Sequence, residues 1–130
     1  MEAKDIIGLD IGQKHTGVAR ASSIAKLAEP LKTVSTKDLE AELSELSEQR
    51  GFEAIVAGLP RNLSGDDTKQ TEWVRARIEH LKRAIKLPIY WQDEALTSKT
   101  AADHHDEHAQ AAASILQDFL DAPESDRVLC

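Results

Sequence analysis

The stretch that most restricts the fold runs from Phe52 to Ala95, where two apolar segments flank one amphipathic helix pattern. "FEAIVAGLP" is apolar at nearly every position, as expected for a strand buried on both faces. "RNLSGDDTKQ" then carries turn chemistry at Asn62, Ser64, Gly65 and Asp66. From Gln70 to Lys86, Val74, Ile78, Leu81 and Ile85 form one stripe spaced four, three and four, with charges over the opposite face. Pro88 stops that helix, and "PIYWQDEA" reads as a second strand. A strand, a helix and a strand in this order make a parallel crossover, which requires a sheet covered by helices.

The flanking segments extend the same plan. "DIIGLDIG" and "TGVARAS" are short apolar runs that predict an antiparallel hairpin with "QKH" at its tip. "PLKTV" adds a third extended run. In "STKDLEAELSELSEQRG", Ser35 or Thr36 is placed to cap a helix, Leu39, Leu43 and Leu46 fall at helical spacing, and Gly51 ends it. A last helix is expected from a cap near Thr97 or Ser98 to about Asp121, and the tail "APESDRVLC" is expected to fray. The prediction is an α/β fold with a mixed five-stranded sheet flanked by helices, one domain over residues 1–121 followed by a tail over 122–130.

At 130 residues and 41% hydrophobic, the chain can bury a core without disulfides, and its only cysteine is Cys130. No apolar run approaches the roughly 20 residues of a membrane span, and the N-terminus lacks a secretory pattern, so a cytoplasmic location away from membranes is expected. The net charge of −7 argues against a broad basic surface that coats nucleic acid. Lys69, Arg75, Arg77, Lys82, Arg83 and Lys86 do cluster, and a solvated helix face explains that run about as well as a phosphate-binding strip.

In sheets of this kind, sites collect at the carboxyl ends of strands. Asp10 ends the first strand, and Asp93 and Glu94 end the last, so the fold is expected to bring acids together there. Adjacent strand residues face opposite ways, which admits only one of Asp93 and Glu94 to a site unless the strand has ended. "DHHDEH" packs three histidines and three acids into six residues ahead of an apolar helix pattern. At 100° per residue, Ala101, His105, His108, Ala112, Ile115 and Phe119 share one stripe, which turns His108 inward and Asp106 and Glu107 outward. An inward histidine serves as a metal ligand or proton shuttle, or simply packs at the core edge. His104, Glu107 and His108 also match the short zinc-peptidase pattern H-x-x-E-H, without an evident third ligand.

Taken in order, "IIGLDIGQKHTGVA", "EAIVAGLPRNLSG", "WQDEALTS" and "AAASILQDFLD" resemble the YqgF/RuvX family of the ribonuclease H and Holliday-junction-resolvase fold group, over Ile6 to Asp121. "GLDIG" alone also resembles the phosphate loop of actin-like ATPases, but such proteins need two lobes and this chain has room for one. The resemblance implies a ribonuclease H-like fold and a metal-dependent nuclease acting on structured RNA, in maturation of the 5′ end of precursor 16S rRNA. Branched DNA, as for a junction resolvase, is the alternative substrate, and a weakened homologue that binds RNA or a protein partner is another. The expected cofactor is Mg²⁺ or Mn²⁺, held by carboxylates that activate water and stabilise the leaving oxygen.

Position by position, Asp10 matches the family's first acid and Glu94 the acid of its "DER" signature. The family's third acid is His108 here, and Ala95 stands for the signature's arginine. Only ten residues separate Thr97 from His108, where the family has a longer basic segment. The implied catalytic and metal-binding set is therefore Asp10, Glu94 and His108. Lys14 and His15 in the first turn, and Arg61 and Asn62 after "GLP", are candidates for phosphate contact. Either a monomer or a homodimer is compatible with the sequence. Trp73 and Trp91 are read as packing residues.

Overall fold

The computed structural model describes residues 4–95 and 107–130. Within them the chain runs β1 (Asp5–Ile11), β2 (His15–Ser22), β3 (Glu29–Ser35), a 3₁₀ turn (Thr36–Asp38), α1 (Leu39–Arg50), β4 (Phe52–Arg61), α2 (Lys69–Ala84), β5 (Ile89–Ala95), α3 (Glu107–Asp121), a second 3₁₀ turn (Glu124–Asp126) and β6 (Val128–Leu129). The sheet order is β3-β2-β1-β4-β5-β6. β1 to β3 form an antiparallel meander, while β4 pairs parallel with both β1 and β5, as the crossover pattern requires.

Two departures from expectation concern chain ends. The sheet has six strands rather than five, because the tail does not fray. Val128 and Leu129 pair antiparallel with Trp91 and Tyr90, the Cys130 amide donates to the Ile89 carbonyl at 2.8 Å, and the Arg127 guanidinium lies 4.4 Å from the Phe119 ring centre. The tail thereby covers the edge that β5 would otherwise present. Neither Ser35 nor Thr36 caps α1. The Thr36 hydroxyl instead donates to the Gly12 carbonyl (2.7 Å) and lies 2.8 Å from the Thr16 hydroxyl, binding the start of this helix to the β1–β2 turn. The start expected for the last helix, at Thr97 or Ser98, lies outside the described residues.

Pleating divides the core in two. On one face Ile7, Leu9, Ile11, Val18, Ile55 and Ala57 meet Leu39, Leu43 and Leu46 of α1 and Val74, Ile78 and Leu81 of α2. On the other, Ile6, Ala19, Ala21, Ala54 and Val56 meet Ala112, Ile115, Leu116 and Phe119 of α3. Trp73 and Trp91 are half-buried against the first core, consistent with packing roles.

The α3 face is lined with small residues, so the helix lies very close to the sheet. A Cβ added at Gly8 would sit 2.7 Å from Leu116 Cβ, and one at Gly58 would sit 2.5 Å from Ile115 Cδ1. At Gly17 an added Cβ would fall 1.8 Å from the His108 carbonyl oxygen and 2.7 Å from the Ala109 nitrogen. No helix among the described residues is long and apolar enough to cross a membrane.

Candidate active site

Asp10 occupies the last even position of β1, on the α3 face with Ile6 and Gly8. Its antiparallel partner is Gly17, the glycine on which the first turn of α3 rests. Register and close packing thus deliver His108, half-buried in that first turn, to the neighbourhood of the Asp10 carboxyl. Burial pushes the Asp10 carboxyl above the usual range, and the positive charge available on His108 opposes that shift only in part. Among the described residues no lysine or arginine forms an ion pair with Asp10. A desolvated carboxylate with no lysine or arginine partner is a position for an added cation.

The same pleat places His15 on the α3 face, in step with Gly17, Ala19 and Ala21. Its ring centre is 5.8 Å from that of His108, with the planes inclined by 34°. His15 is exposed, so its imidazole faces solvent beside the half-buried His108.

Counting along β5 separates its two acids. Tyr90 packs into the α3-side core, so Gln92 and Glu94 follow it on that face, while Asp93 points to the other. Glu94 is half-buried; Asp93 is exposed, and its Oδ2 lies 3.5 Å from Arg61 Nη1. Leu9 is level with Ala57, and Ala57 with Trp91, so Glu94 lies two strands across from Asp10 and two residues further on. Sheet spacing makes that separation roughly 12 Å between Cα atoms. Among the described residues no three His, Cys, Asp or Glu side chains close into a ready-made metal cluster. The donors present nevertheless suit Mg²⁺ or Mn²⁺: two carboxylates on one face at the same end of a sheet, with imidazole nitrogen beside one of them.

The phosphate-contact candidates divide. Lys14 is exposed in the β1–β2 turn, at the same end of the sheet as Asp10. Arg61 is not brought to Asp10, since its guanidinium is held by Asp67 (3.1 Å from Nε) and Asp93 on the opposite face. Asn62 is occupied with its own loop, where its Oδ1 accepts from the Ser64 amide at 3.0 Å and the Asp66 amide at 2.9 Å. Glu107 is exposed as the helical stripe predicted. Ala101, His104, His105 and Asp106 lie outside the described residues, and with them the first histidine of the zinc-peptidase pattern. The residue that sequence reasoning missed is Gly17: its role shows only when β2 and α3 are placed together.

Closely covered on one face by a single helix and on the other by two, with carboxylates at the strand ends, this is an α/β protein of the ribonuclease H-like class. A structure titled "T. thermophilus RuvC in complex with Holliday junction substrate" matches with a TM-score of 0.63 over 98% of this chain and 99% of that one, at 15% identity, a likeness of fold. A family model described as "RuvX: Holliday junction resolvase" covers residues 4–122, and the chain belongs to that family. Its relatives include proteins named "Putative pre-16S rRNA nuclease" from Nitratidesulfovibrio vulgaris, 39% identical over 93% of this chain and 96% of the relative, and from Moorella thermoacetica, 40% identical over 74% and 71%. A protein of the same name from Thermosynechococcus vestitus is 33% identical over 90% and 87%.

Proposed function

We propose that this chain is a metal-dependent nuclease that hydrolyses phosphodiester bonds in RNA, acting in 5′-end maturation of precursor 16S rRNA in the cytoplasm. The observation that carries this reading is Asp10: a desolvated carboxylate at the carboxyl end of the central strands, with no Lys or Arg partner among the described residues and an imidazole beside it. The names of the relatives support RNA as the substrate.

Asp10, Glu94 and His108 would hold Mg²⁺ or Mn²⁺, which when bound polarises the phosphate and makes an attacking hydroxide available near neutral pH. Asp10 supplies a negative charge already stripped of much of its water, so little reorganisation is needed when a cation or phosphate arrives. If His108 does not ligate the ion, its alternative role is to carry a proton on an imidazole nitrogen to the leaving 3′ oxygen; the close approach of its backbone to Gly17 supports its placement near Asp10. Lys14, exposed at the same end, offers a cation to a backbone phosphate.

Resolution of branched DNA is the second reading, favoured by the family description and by the RuvC likeness. Incubation with precursor 16S rRNA and with a four-way DNA junction, each with Mg²⁺ or Mn²⁺ and with chelator, decides between them. Metal-dependent cleavage near the mature 5′ end of the RNA is expected. Cleavage of the junction alone moves the assignment to a resolvase, and cleavage of neither leaves a binding homologue.

A further inference from the structure

Away from the α3 face, two cavities meet at one tryptophan. The first, of about 470 Å³, is lined by Ile11, Gln13, Lys69, Gln70 and Trp73; the second, of about 380 Å³, by Lys37, Glu40, Trp73, Ala76, Arg77 and His80. Trp73 lines both, so the two adjoin at a half-buried indole on the α1/α2 side, and together they are treated as one groove. One end of the groove reaches Ile11 and Gln13, immediately after Asp10 in the chain, at the β1–β2 turn.

The charges in this groove are selective. Arg77 is engaged by Glu40, through both guanidinium nitrogens, and by the Thr36 carbonyl, and His80 Nδ1 lies 2.9 Å from the same carboxylate. Two other members of the basic run are also engaged: Arg75 faces Asp67 at 3.5 Å and Lys82 faces Glu79 at 3.4 Å. Lys37 and Lys69, by contrast, are exposed and pair with no carboxylate among the described residues. In a chain of net charge −7, two uncommitted cations flank an aromatic ring and amide side chains. Spaced positive charge with an aromatic surface between is the chemistry that tracks an unpaired polynucleotide, phosphates on the lysines and a base on the ring.

We propose that this groove binds a single-stranded segment of the RNA substrate flanking the scissile phosphate, with a base stacked on Trp73 and phosphates at Lys37 and Lys69, the strand reaching Asp10 over the β1–β2 turn. The proposal rests on the nuclease reading, and its test is made independent of cleavage. Trp73 and Trp91 are the only tryptophans, so Trp91→Phe in the full chain leaves one emitter. Titration of that protein with oligouridylate, in chelator, should quench Trp73 emission. Lys37→Glu combined with Lys69→Glu, both at exposed positions, should lower the slope of log K against log salt by about 1.4. Trp73→Ala, assayed by oligonucleotide anisotropy, should weaken binding roughly 5- to 150-fold. Oligodeoxyuridylate of equal length tests the sugar: binding at least as tight as to oligouridylate would overturn the assignment to RNA. Absent quenching, with affinity unchanged in the lysine variant, overturns the groove while any Asp10-dependent cleavage still stands. Quenching with the expected salt slope supports the groove even where precursor RNA is left uncut, a result that would sink the nuclease reading alone.

Discussion

On the α1/α2 face, carboxylates are gripped by arginines: Asp5 by Arg20 at 2.7 and 2.8 Å with Arg50 at 3.3 Å, and Glu40 by Arg77. Hydrogen bonding to Arg20 holds Asp5 below the usual range, and that to Arg77 brings Glu40 down to about 2. On the α3 face Asp10 is desolvated with only His108 to offset it, and its carboxyl is pushed up. The side chains differ in step: leucines and isoleucines fill the first face, whereas Gly8, Gly17 and Gly58 let a helix settle onto the second. One face is therefore built for stability, and the other holds a charge at some expense of it, as sites that await a ligand do.

The sharpest way to break this contrast is to damage each face in turn. Leu81→Ala, fully buried under α2, should lose about 2–5 kcal/mol in denaturant unfolding while cleavage per folded molecule is kept. Gly17→Ala should lose at least as much stability, about 3 kcal/mol or more, because the added methyl would overlap the α3 backbone at His108 and Ala109 and the helix must move to admit it. Its cleavage rate should also fall about 100-fold, since lifting α3 moves His108 away from Asp10. Equal activity in both variants, each measured on folded protein, would remove the claim that close packing positions the site.

Acid unfolding sharpens the comparison further. Glu40 has a folded pKa below its unfolded value of 4.5, so its stabilisation is complete above that value and is lost as pH falls from about 4.5 toward 2. Glu40→Gln should remove about 1–2 kcal/mol at neutral pH, and flatten the loss of stability across that acid window. Asp10 has the opposite sign. With a raised folded pKa, its contribution is favourable only while protonated and is lost as pH rises through the folded value, so the ionised form burdens the fold at neutral pH. Asp10→Asn should raise stability by about 0.5–2 kcal/mol in thermal unfolding without metal, the smallest of these effects. Mn²⁺ should then stabilise the wild type more than the variant.

Much of the architecture was legible because it is written in local periodicity. The stripes at Leu39, Leu43 and Leu46 and at Val74, Ile78 and Leu81 are buried as their spacing predicted. Pleat counting in the sequence left Asp93 and Glu94 open, because the phase of β5 shows only once Tyr90 is seen packed on the α3 side. β6 escaped because two residues carry no period, and its partner strand lies far away in sequence. Arg61 looked free to meet phosphate because nothing local reveals that Asp67 and Asp93 enclose it. The three glycines under α3 come from three strands, so the close approach that joins Asp10 to His108 emerges only in the assembled sheet.

The central claim is that Asp10 on the thinly covered face supports a cation-dependent nuclease site. Its most direct test is the rate of precursor 16S rRNA cleavage with Mg²⁺ or Mn²⁺ by wild type and Asp10→Asn, with folding of both verified by thermal unfolding. The account predicts metal-dependent cleavage by the wild type and a fall of roughly 1,000-fold or more in a variant that is folded and at least as stable. Cleavage by Asp10→Asn at the wild-type rate would contradict it.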